Sequence, residues 1–357
     1  MAYKNPILLI GGARPNFVKI FPIIKELKKN NIEYLFVHTG QHYDYEMSKV
    51  FFEEFGLLEN IYCLNIKENV VSQVIEKLSL FLVENEINPK YMIVVGDVDS
   101  SFAASYVAKK NCIKLIHVEA GLRSFDDRMP EEINRRLIDS VSDILFVSEK
   151  SGLKNLIKEG KKDRSVFVGN VMLDSIRHFL PKIKKEKEKK YIFATLHRPS
   201  NVDEKENLVK ICEIFSEISA INKIIFCVHP RTRKKIEQFN LYSLLENVDL
   251  INPLGYIENI SMIYNSICVL TDSGGIQEET TYLNVPCLTI RDNTERPITI
   301  ERGTNTLIKS NEYHEIPKYI NLITSGKYKK SKKIKYWDGM AAERIVDTIL
   351  KQQTGNK

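Results

Sequence analysis

Short apolar runs rich in Ile, Val and Leu alternate with longer amphipathic segments from end to end of this 357-residue sequence. The segment 17–29 is typical of a helix, because its apolar residues recur at spacings of three and four. The predicted strands are 7–10, 34–38, 91–95, 114–118, 144–147, 165–168, 191–196, 224–228, 250–251, 269–271 and 287–290. Apolar strands separated by helices indicate parallel sheets covered on both faces. The sequence therefore predicts an α/β protein with two doubly wound domains.

The length of the chain also favours two domains of roughly 150 to 190 residues each. We expect the boundary between residues 170 and 182, because a solvated run of Lys and Glu at 182–190 precedes the first strand of the second half. An amphipathic segment at 338–350 predicts a last helix that packs on either domain. The predicted domains are therefore 1–172 and 173–337, followed by that helix.

The formal net charge of +6 comes from two short lysine-rich segments. Residues 182–190 carry six Lys and two Glu, a local charge of +4, and residues 327–335 carry six Lys, a local charge of +6. The rest of the chain is therefore at −4. Such a distribution does not favour nucleic acid or an acidic membrane as a partner.

Apolar runs in the sequence fall short of the 18 to 20 residues or so that a membrane helix needs, and the apolar part of MAYKNPILLIGGARP is too short for a signal peptide. We therefore expect a cytoplasmic location.

Six cysteines, at positions 63, 112, 212, 227, 268 and 287, are isolated and form no CxxC pair. Four of them lie in or beside apolar, strand-like runs. The sequence predicts buried free thiols and argues against a disulfide framework or a zinc site.

Polar residues follow the predicted strands of the first half, where parallel sheets place their ligands. The turn 11–16 follows the first strand, and its two glycines with Arg14 fit either an anion site or a structural turn. Lys19 lies on the first helical turn nearby. His42 follows the second strand and fits either a binding site or an ordinary loop histidine.

Carboxylates also follow these strands. Asp97 favours a site role, because Asp99 or Ser100 can cap the next helix. Glu119 interrupts the end of a buried strand, where an unpaired carboxylate would be costly.

Two further acidic residues follow Pro130, a residue favoured in the first position of a helix. Glu131 fits either a site or compensation of the helix dipole, and Arg135 is spaced to pair with it.

The second half repeats this arrangement. His197 and Arg198 follow one strand, and His229 follows the next, where it can also serve as a cap. Ser273, Gly274 and Gly275 form a turn at a helix start, which suits a phosphate, and Glu279 in the same helix suits ribose hydroxyls. Arg296 follows a further strand at the same edge. These residues predict a nucleotide site.

Ten sequence blocks occur in an order and at spacings that resemble the non-hydrolysing UDP-N-acetylglucosamine 2-epimerases. They are GGARPNFVKIFPII, TGQHYD, VVGDVDSS, HVEAGLRSFD, MPEEINRRLID, VGNVMLDSI, TLHRPSNVD, LTDSGGIQEE, RDNTERP and WDGMAAERIV. The combinations of DSGGIQEE with TERP and of HVEAGLR with PEE are the most specific. The resemblance covers nearly the whole chain.

The resemblance implies a GT-B fold, in which two Rossmann-like domains face a central cleft and the C-terminal helix 338–357 crosses back to the N-terminal domain. It implies interconversion of UDP-GlcNAc and UDP-ManNAc by elimination of UDP to 2-acetamidoglucal and readdition. It further implies a homodimer that acts in polysaccharide biosynthesis with neither a cofactor nor a metal.

The resemblance also implies roles for residues at the strand ends. The catalytic residues would be Asp97, Glu119, Glu131 and His197. The residues that contact UDP or the sugar would be Arg14, Lys19, Gln41, His42, Arg135, Ser273, Gly274, Gly275, Glu279 and Arg296. Gln41 and His42 lie where bacterial relatives bind a second UDP-GlcNAc as activator. One departure concerns the uracil contact, since the family's aromatic residue near Asn259 is replaced here by Tyr256 or Ile257.

Three alternative activities fit part of this pattern. They are a hydrolysing epimerase that releases ManNAc, an epimerase for a modified UDP-2-acetamido sugar, and a GT-B glycosyltransferase. The turn GGARPNF favours the non-hydrolysing branch, because hydrolysing relatives open with a GTRADY-like turn. The physiological sugar and the carboxylate that removes the C2 proton are left open by the sequence.

Overall fold

Two parallel sheets organise the chain, one in each of two structural units. The computed structural model describes residues 5–40, 52–57 and 59–354, with Arg14 and Thr354 described by their backbone alone. Unit 1 contains the residues up to His178 and those from Lys335 onward, and unit 2 is Phe179–Ile334.

Unit 1 has a seven-stranded sheet within the described residues, in the order β3-β2-β1-β4-β5-β6-β7. Its strands are β1 (Ile7–Gly11), β2 (Tyr34–His38), β3 (Ile61–Cys63), β4 (Tyr91–Val95), β5 (Lys114–Ala120), β6 (Ile144–Val147) and β7 (Ser165–Phe167). β1, β2 and β4 are buried along their whole length, as expected for strands covered by helices on both faces.

The helices of unit 1 connect these strands and close the unit. They are α1 (Arg14–Lys29), α2 (Val70–Glu84), α3 (Asp99–Lys110), α4 (Pro130–Val141), α5 (Lys150–Lys158), α6 (Met172–Phe179) and, after unit 2, α14 (Ala341–Thr354). The helix α6 ends at the first residue of unit 2.

Unit 2 has a six-stranded parallel sheet in the order β10-β9-β8-β11-β12-β13. Its strands are β8 (Ile192–Thr195), β9 (Ile224–Cys227), β10 (Val248–Ile251), β11 (Val269–Thr271), β12 (Cys287–Ile290) and β13 (Asn305–Ile308). Its helices are α7 (Pro199–Val202), α8 (Lys205–Ser219), α9 (Pro230–Gln238), α10 (Tyr256–Asn265), α11 (Gly274–Leu283), α12 (Pro297–Glu301) and α13 (Ile316–Thr324). The predicted α/β class with parallel sheets is confirmed.

Two strands escaped the sequence prediction. β3 is only partly buried along its three residues, and β13 begins with the polar pair Asn305 and Thr306. Both lie at an edge of their sheet. Edge strands lack the apolar pattern on both faces by which the central strands were found.

The prediction of buried thiols holds for Cys212, Cys227, Cys268 and Cys287 and is wrong for Cys112, which is exposed. Cys112 lies in the turn between α3 and β5 with a φ of +55°, so its side chain stays outside the adjoining apolar run. Cys63 is half-buried at the edge strand β3. Within the described ranges, His, Cys, Asp and Glu side chains form no group of three that could hold a metal ion.

None of the helices in the described part of the chain is long and apolar enough to cross a membrane.

The last helix joins unit 1 through the buried carboxylate of Asp174 in α6. Its oxygens accept hydrogen bonds from the backbone N–H groups of Ala341 at 3.2 Å and Ala342 at 2.8 Å, at the start of α14. Trp337, the one tryptophan of the sequence, is buried just before this helix and donates from Nε1 to the Ser148 carbonyl at 3.2 Å. Asp174 and Trp337 thus attach the C-terminal segment to unit 1.

The pH dependence of stability tests this attachment. Burial, with a contribution from the charge of Asp338, raises the pKa of Asp174 from 3.8 to about 6. Since the folded state holds this proton more tightly, the contribution of Asp174 to the unfolding free energy is complete below about pH 4 and is lost as the pH rises through 6. The change is at most about 3 kcal/mol.

We expect Asp174→Asn to lack this pH-dependent component. Urea unfolding followed by Trp337 fluorescence measures it as the difference between wild type and variant at several pH values. A constant difference from about pH 4 to pH 7 would contradict the prediction.

Candidate active site

The turn after β1 is held by Asn16. Its Oδ1 accepts from the backbone N–H groups of Gly12 at 3.2 Å and Ala13 at 2.9 Å, and its Nδ2 donates to the Val95 carbonyl at 2.9 Å. Both N–H groups are therefore used within the turn, which favours a structural role for this backbone over an anion cradle. Arg14 begins α1, and its side chain lies outside the described atoms.

Glu119 and Lys19 form a buried ion pair at the carboxyl edge of the unit 1 sheet. Their side chains are 6% and 7% exposed, respectively. A Cβ on Gly96 would lie 3.5 Å from Glu119 Oε2 and 3.9 Å from Lys19 Nζ, so this glycine borders the pair. The ammonium group compensates the buried carboxylate, as an unpaired charge there would be costly.

The backbone at Glu119 is unusual. Its φ is +75°, and the pairing register of β5 with β6 shifts between Val118 and Ala120. A left-handed residue that is neither glycine nor asparagine is strained and persists where its surroundings hold it. The irregularity therefore points to a functional position.

Asp97 pairs with Arg135 of α4. The Nη1 atom of Arg135 also lies 2.6 Å from an oxygen of Glu132, three positions before it. The sequence spacing had suggested Glu131 as the partner of Arg135, whereas Glu132 is the buried residue and Glu131 is exposed at the start of α4. The guanidinium thus holds two carboxylates, of which Asp97 stays partly open to solvent.

The expected capping of α3 by Asp99 or Ser100 is wrong. The cap position is Val98, and Asp99 is the first helical residue. The Asp99 carboxylate accepts from Asn134 Nδ2 at 2.8 Å, and the same amide donates to the Asp97 carbonyl at 3.0 Å. Asn134, which the sequence did not single out, therefore ties α4 to the segment that carries Asp97.

In unit 2, the fully buried Asp272 organises the exit of β8. It accepts from the backbone N–H groups of His197 at 3.0 Å and Arg198 at 2.8 Å, and from Asn201 Nδ2 at 3.0 Å. The His197 ring approaches Asp272 through Nδ1 at 3.0 Å. Burial alone would raise the pKa of Asp272, but His197 and these donors hold it below its usual value. His197 is therefore a partly exposed histidine oriented by a carboxylate.

The start of α11 has the features of a phosphate site. The helix begins at Gly274, after Ser273, whose side chain makes no capping hydrogen bond. A Cβ on Gly274 would lie 2.7 Å from Arg296 Nη1 and 3.0 Å from Glu295 Oε1. The absence of a side chain at Gly274 thus lets a guanidinium lie against a helix N-terminus, two features that favour an anion.

Arg296 is fixed by acidic neighbours. Its Nη1 lies 2.5 Å from Glu295, and its Nε lies 3.0 Å from Glu278. Arg291 pairs with the other oxygen of Glu295 at 3.0 Å. Burial opposes ionisation of Glu295, but Arg296 and Arg291 hold its pKa well below the usual range. Glu278, Glu295 and Arg291 were missed by sequence reasoning although they belong to the blocks LTDSGGIQEE and RDNTERP.

Glu279 is buried in α11, and its pKa is raised to about 8, first by burial and then by the charge of Glu278. Tyr256, one of the two residues considered for the uracil contact, is buried with its ring centroid 5.9 Å from that of Phe179. Ile257 is half-buried. The other predicted positions, Gln41 and His42, lie outside the described residues.

The structure therefore brings Lys19 to Glu119 and Arg135 to Asp97 in unit 1, and Arg296 to the Ser273–Gly274–Gly275 turn in unit 2. Two parallel sheets with polar clusters at their carboxyl edges, one rich in carboxylates and one suited to phosphate, define an α/β protein with two Rossmann-like units. Comparison with known proteins is more specific. The UDP-N-acetylglucosamine 2-epimerase family model matches residues 25–350, and the chain belongs to this family.

Individual relatives agree with this assignment. The chain is 40% identical over 360 residues to the UDP-N-acetylglucosamine 2-epimerase of Methanocaldococcus jannaschii, covering 95% of this chain and 97% of that one. The crystal structure of the M. jannaschii enzyme with UDP-GlcNAc and UDP is similar with a TM-score of 0.88 and 38% identity, covering 97% and 99% of the two chains.

A further relative has a different named substrate. The UDP-2,3-diacetamido-2,3-dideoxy-D-glucuronate 2-epimerase of Pseudomonas aeruginosa is 40% identical over 314 residues, covering 85% of this chain and 88% of that one. The predicted family, GT-B fold and epimerase class are confirmed.

The pKa of Glu279 leads to a prediction about nucleotide binding. An ionised carboxylate accepts from ribose hydroxyls, whereas Glu279 is mostly protonated at about pH 7. If Glu279 holds the ribose, binding releases a proton, and affinity rises about tenfold per pH unit below pH 8 and levels off above it. Calorimetry of UDP binding in buffers of different ionisation enthalpy counts the released proton.

Uridine is the matched ligand, because it keeps the ribose and lacks the titrating diphosphate. Glu279→Gln should remove the proton release on uridine binding and reduce it on UDP binding. Binding of uridine that is unchanged between about pH 6.5 and pH 9 would contradict the assigned role of Glu279.

Proposed function

We propose that this protein interconverts UDP-GlcNAc and UDP-ManNAc by eliminating UDP to 2-acetamidoglucal and adding it back. The observation that carries the proposal is the set of charge-compensated carboxylates, Asp97 with Arg135 and Glu119 with Lys19, at the carboxyl edge of the unit 1 sheet. Family membership and the 40% identical M. jannaschii epimerase support the choice of substrate.

The chemistry explains why carboxylates are needed. No carbonyl neighbours C2 in the sugar ring, so loss of the C2 proton alone would leave an unstabilised carbanion. In the elimination, a base takes the C2 proton, the C–H electron pair forms the C1–C2 double bond, and the C1–O bond breaks with its electrons leaving on UDP. Readdition with protonation of the opposite face inverts C2. The reaction therefore needs acid–base groups near C2 and a well-stabilised diphosphate.

We assign the acid–base work to Asp97, Glu119 and Glu131. Lys19 and Arg135 compensate the charges of Glu119 and Asp97 and hold the two carboxylates in place. Inversion uses one group to accept the proton and a second group to deliver one to the other face. Asp97 and Glu119, each paired with its own cation, can serve as these two groups.

We assign the diphosphate to Arg14, His197, Ser273, Gly274 and Arg296. The helix start at Gly274 and the guanidinium of Arg296 would stabilise the negative charge that leaves with UDP. Since Nδ1 of His197 faces Asp272, Nε2 points away from that carboxylate, and the imidazolium form of the ring would donate through it to a phosphate oxygen. Lys19, Arg135, Gly275 and Glu279 complete the proposed binding residues, and Gln41 and His42 remain a hypothesis for an activator site.

A labelling experiment tests the reaction. UDP-GlcNAc carrying ¹⁸O in the bridge between C1 and phosphorus is incubated with the protein in deuterium oxide. We expect UDP-ManNAc, deuterium at C2 of both sugars, and migration of ¹⁸O into non-bridging phosphate positions, because the C1–O bond breaks. Free ManNAc would indicate the hydrolysing alternative, and absence of deuterium at C2 would exclude the elimination.

The variant Glu119→Gln should lower turnover by about two orders of magnitude or more in this assay, because the amide can neither accept the C2 proton nor balance Lys19. Glu33→Gln is the matched control, since Glu33 is an exposed residue before β2 at the opposite edge of the same sheet. Near wild-type turnover in a folded Glu119→Gln protein would refute the assignment.

The substrate can also be a modified sugar, as the name of the P. aeruginosa relative illustrates. The same assay with UDP-2,3-diacetamido-2,3-dideoxy-D-glucuronate gives the ratio of kcat/KM for the two sugars. We expect the ratio to favour UDP-GlcNAc. The cytoplasmic location and the role in polysaccharide biosynthesis stay predictions.

We also propose a homodimer. Ile133, Leu137 and Val141 are 47%, 44% and 41% exposed, and their spacing of four forms an apolar stripe along α4. Such a stripe fits burial against a second copy of the chain. Sedimentation equilibrium should give twice the chain mass for wild type and one chain mass for Leu137→Glu. A monomeric wild type would exclude the dimer.

A further inference from the structure

A buried histidine in β5 is hydrogen-bonded to the segment that carries Asp97. His117 is fully buried in β5, two residues before Glu119. Its Nε2 lies 3.0 Å from the carbonyl oxygen of Gly96, the residue before Asp97. Its Nδ1 lies 2.7 Å from an oxygen of Asp139. Both ring nitrogens are therefore engaged.

Asp139 contacts the chain just after Glu119, at Gly121. It is fully buried in α4, and its second oxygen accepts from the backbone N–H of Gly121 at 3.1 Å and lies 2.7 Å from Arg123 Nη2. Arg123 in turn forms two hydrogen bonds with Glu159, at 2.8 and 2.9 Å. The cluster thus contains two acidic and two basic side chains.

Proton counting determines the state of the ring. A carbonyl oxygen only accepts, so Nε2 must carry a proton. Asp139 is ionised, because the Arg123 guanidinium and the Gly121 N–H both face its second oxygen. Burial opposes ionisation, but the pKa of Asp139 is lowered, with Arg123 among the causes. An ionised carboxylate also only accepts, so Nδ1 must carry a proton as well. A ring that donates from both nitrogens is an imidazolium.

The two hydrogen bonds end at backbone with positive φ angles. Gly96 has a φ of +68° and Gly121 a φ of +83°, and Glu119 between them in sequence has +75°. A Cβ on Gly121 would lie 2.5 Å from the Gly152 carbonyl, so the chain there also has no room to rearrange. His117 and Asp139 therefore tie together the exits of β4 and β5, which carry Asp97 and Glu119.

We propose that His117 is held as an imidazolium and that, with Asp139, it acts as a positioning residue that fixes the Gly96–Asp97 exit relative to the Glu119–Gly121 exit. The proposal rests on the proposed function in assigning Asp97 and Glu119 to the chemical step. Neither His117 nor Asp139 touches the substrate in this role.

Two variants separate the effect of the ring charge from that of the hydrogen bond to the Gly96 carbonyl. In Asp139→Asn, the amide oxygen can still accept from Gly121 and Arg123, and the amide nitrogen can donate to an unprotonated Nδ1. Every hydrogen bond of the cluster is kept while the ring becomes neutral. In His117→Asn, the amide nitrogen replaces Nδ1 and still donates to Asp139, but it cannot reach the Gly96 carbonyl.

The first readout is ¹⁵N NMR of the histidine rings, with the His117 signals assigned by their loss in His117→Asn. We expect both ring nitrogens of His117 to be protonated in the wild type at about pH 7, and Nε2 alone to be protonated in Asp139→Asn. A single ring proton in the wild type would overturn the proposal, whatever reaction the protein catalyses.

The second readout is kinetic. We expect His117→Asn to lower kcat about 100-fold with KM and the UDP dissociation constant unchanged, and Asp139→Asn, which keeps the hydrogen bonds but loses the charge, to lower kcat about tenfold at most. Trp337 fluorescence checks that both variants are folded. Wild-type kcat in folded His117→Asn would refute positioning, as would an equal loss in both variants.

Failure of the proposed function has its own signature. It would appear as absence of C2 deuterium exchange in the wild type, with the NMR result on His117 unaffected.

Discussion

Compensation of buried charge is the constraint on which the polar clusters at the carboxyl edges of both sheets depend. A parallel sheet buries its strands on both faces, so a carboxylate that leaves a strand end enters a poorly solvated region, where an unpaired charge costs several kcal/mol. Three of the carboxylates described above lie beside a cation: Glu119 with Lys19, Asp97 with Arg135, and Glu295 with two arginines. The charges needed for chemistry are also the charges that the fold must neutralise.

Function explains these ion pairs better than stability does. Replacing these ion pairs with apolar side chains would often be neutral for stability, so stability alone does not explain them. What they provide is ionised groups in fixed positions before a substrate arrives, and electrostatic preorganisation is usually a large part of catalysis. The strained φ angle at Glu119 fits the same explanation, since the packing of β4, β5 and α4 holds it.

Much of the fold followed from the sequence because its signals are local. The strands 34–38, 91–95 and 144–147 have the bounds that were predicted from their apolar runs. The rule that ligands bind at the carboxyl ends of parallel strands also selected the positions of Asp97, Glu119 and His197. Local spacing could not identify the partners, because Lys19 and Glu119 are 100 residues apart and His197 and Asp272 are 75 apart. It also favoured Glu131 for Arg135, whereas tertiary packing buries Glu132.

The attachment of the last helix by Asp174 has a consequence for synthesis of the chain. Unit 2 is one continuous segment, whereas unit 1 is interrupted by it and is completed by α14, which packs on α1. As the polypeptide leaves the ribosome, the second unit therefore has all of its residues before the first one does. The helix α1 waits for α14, and during that interval part of its surface is available to chaperones or to non-native contacts. Fidelity of folding in unit 1 thus depends on a segment that is made after the whole of unit 2.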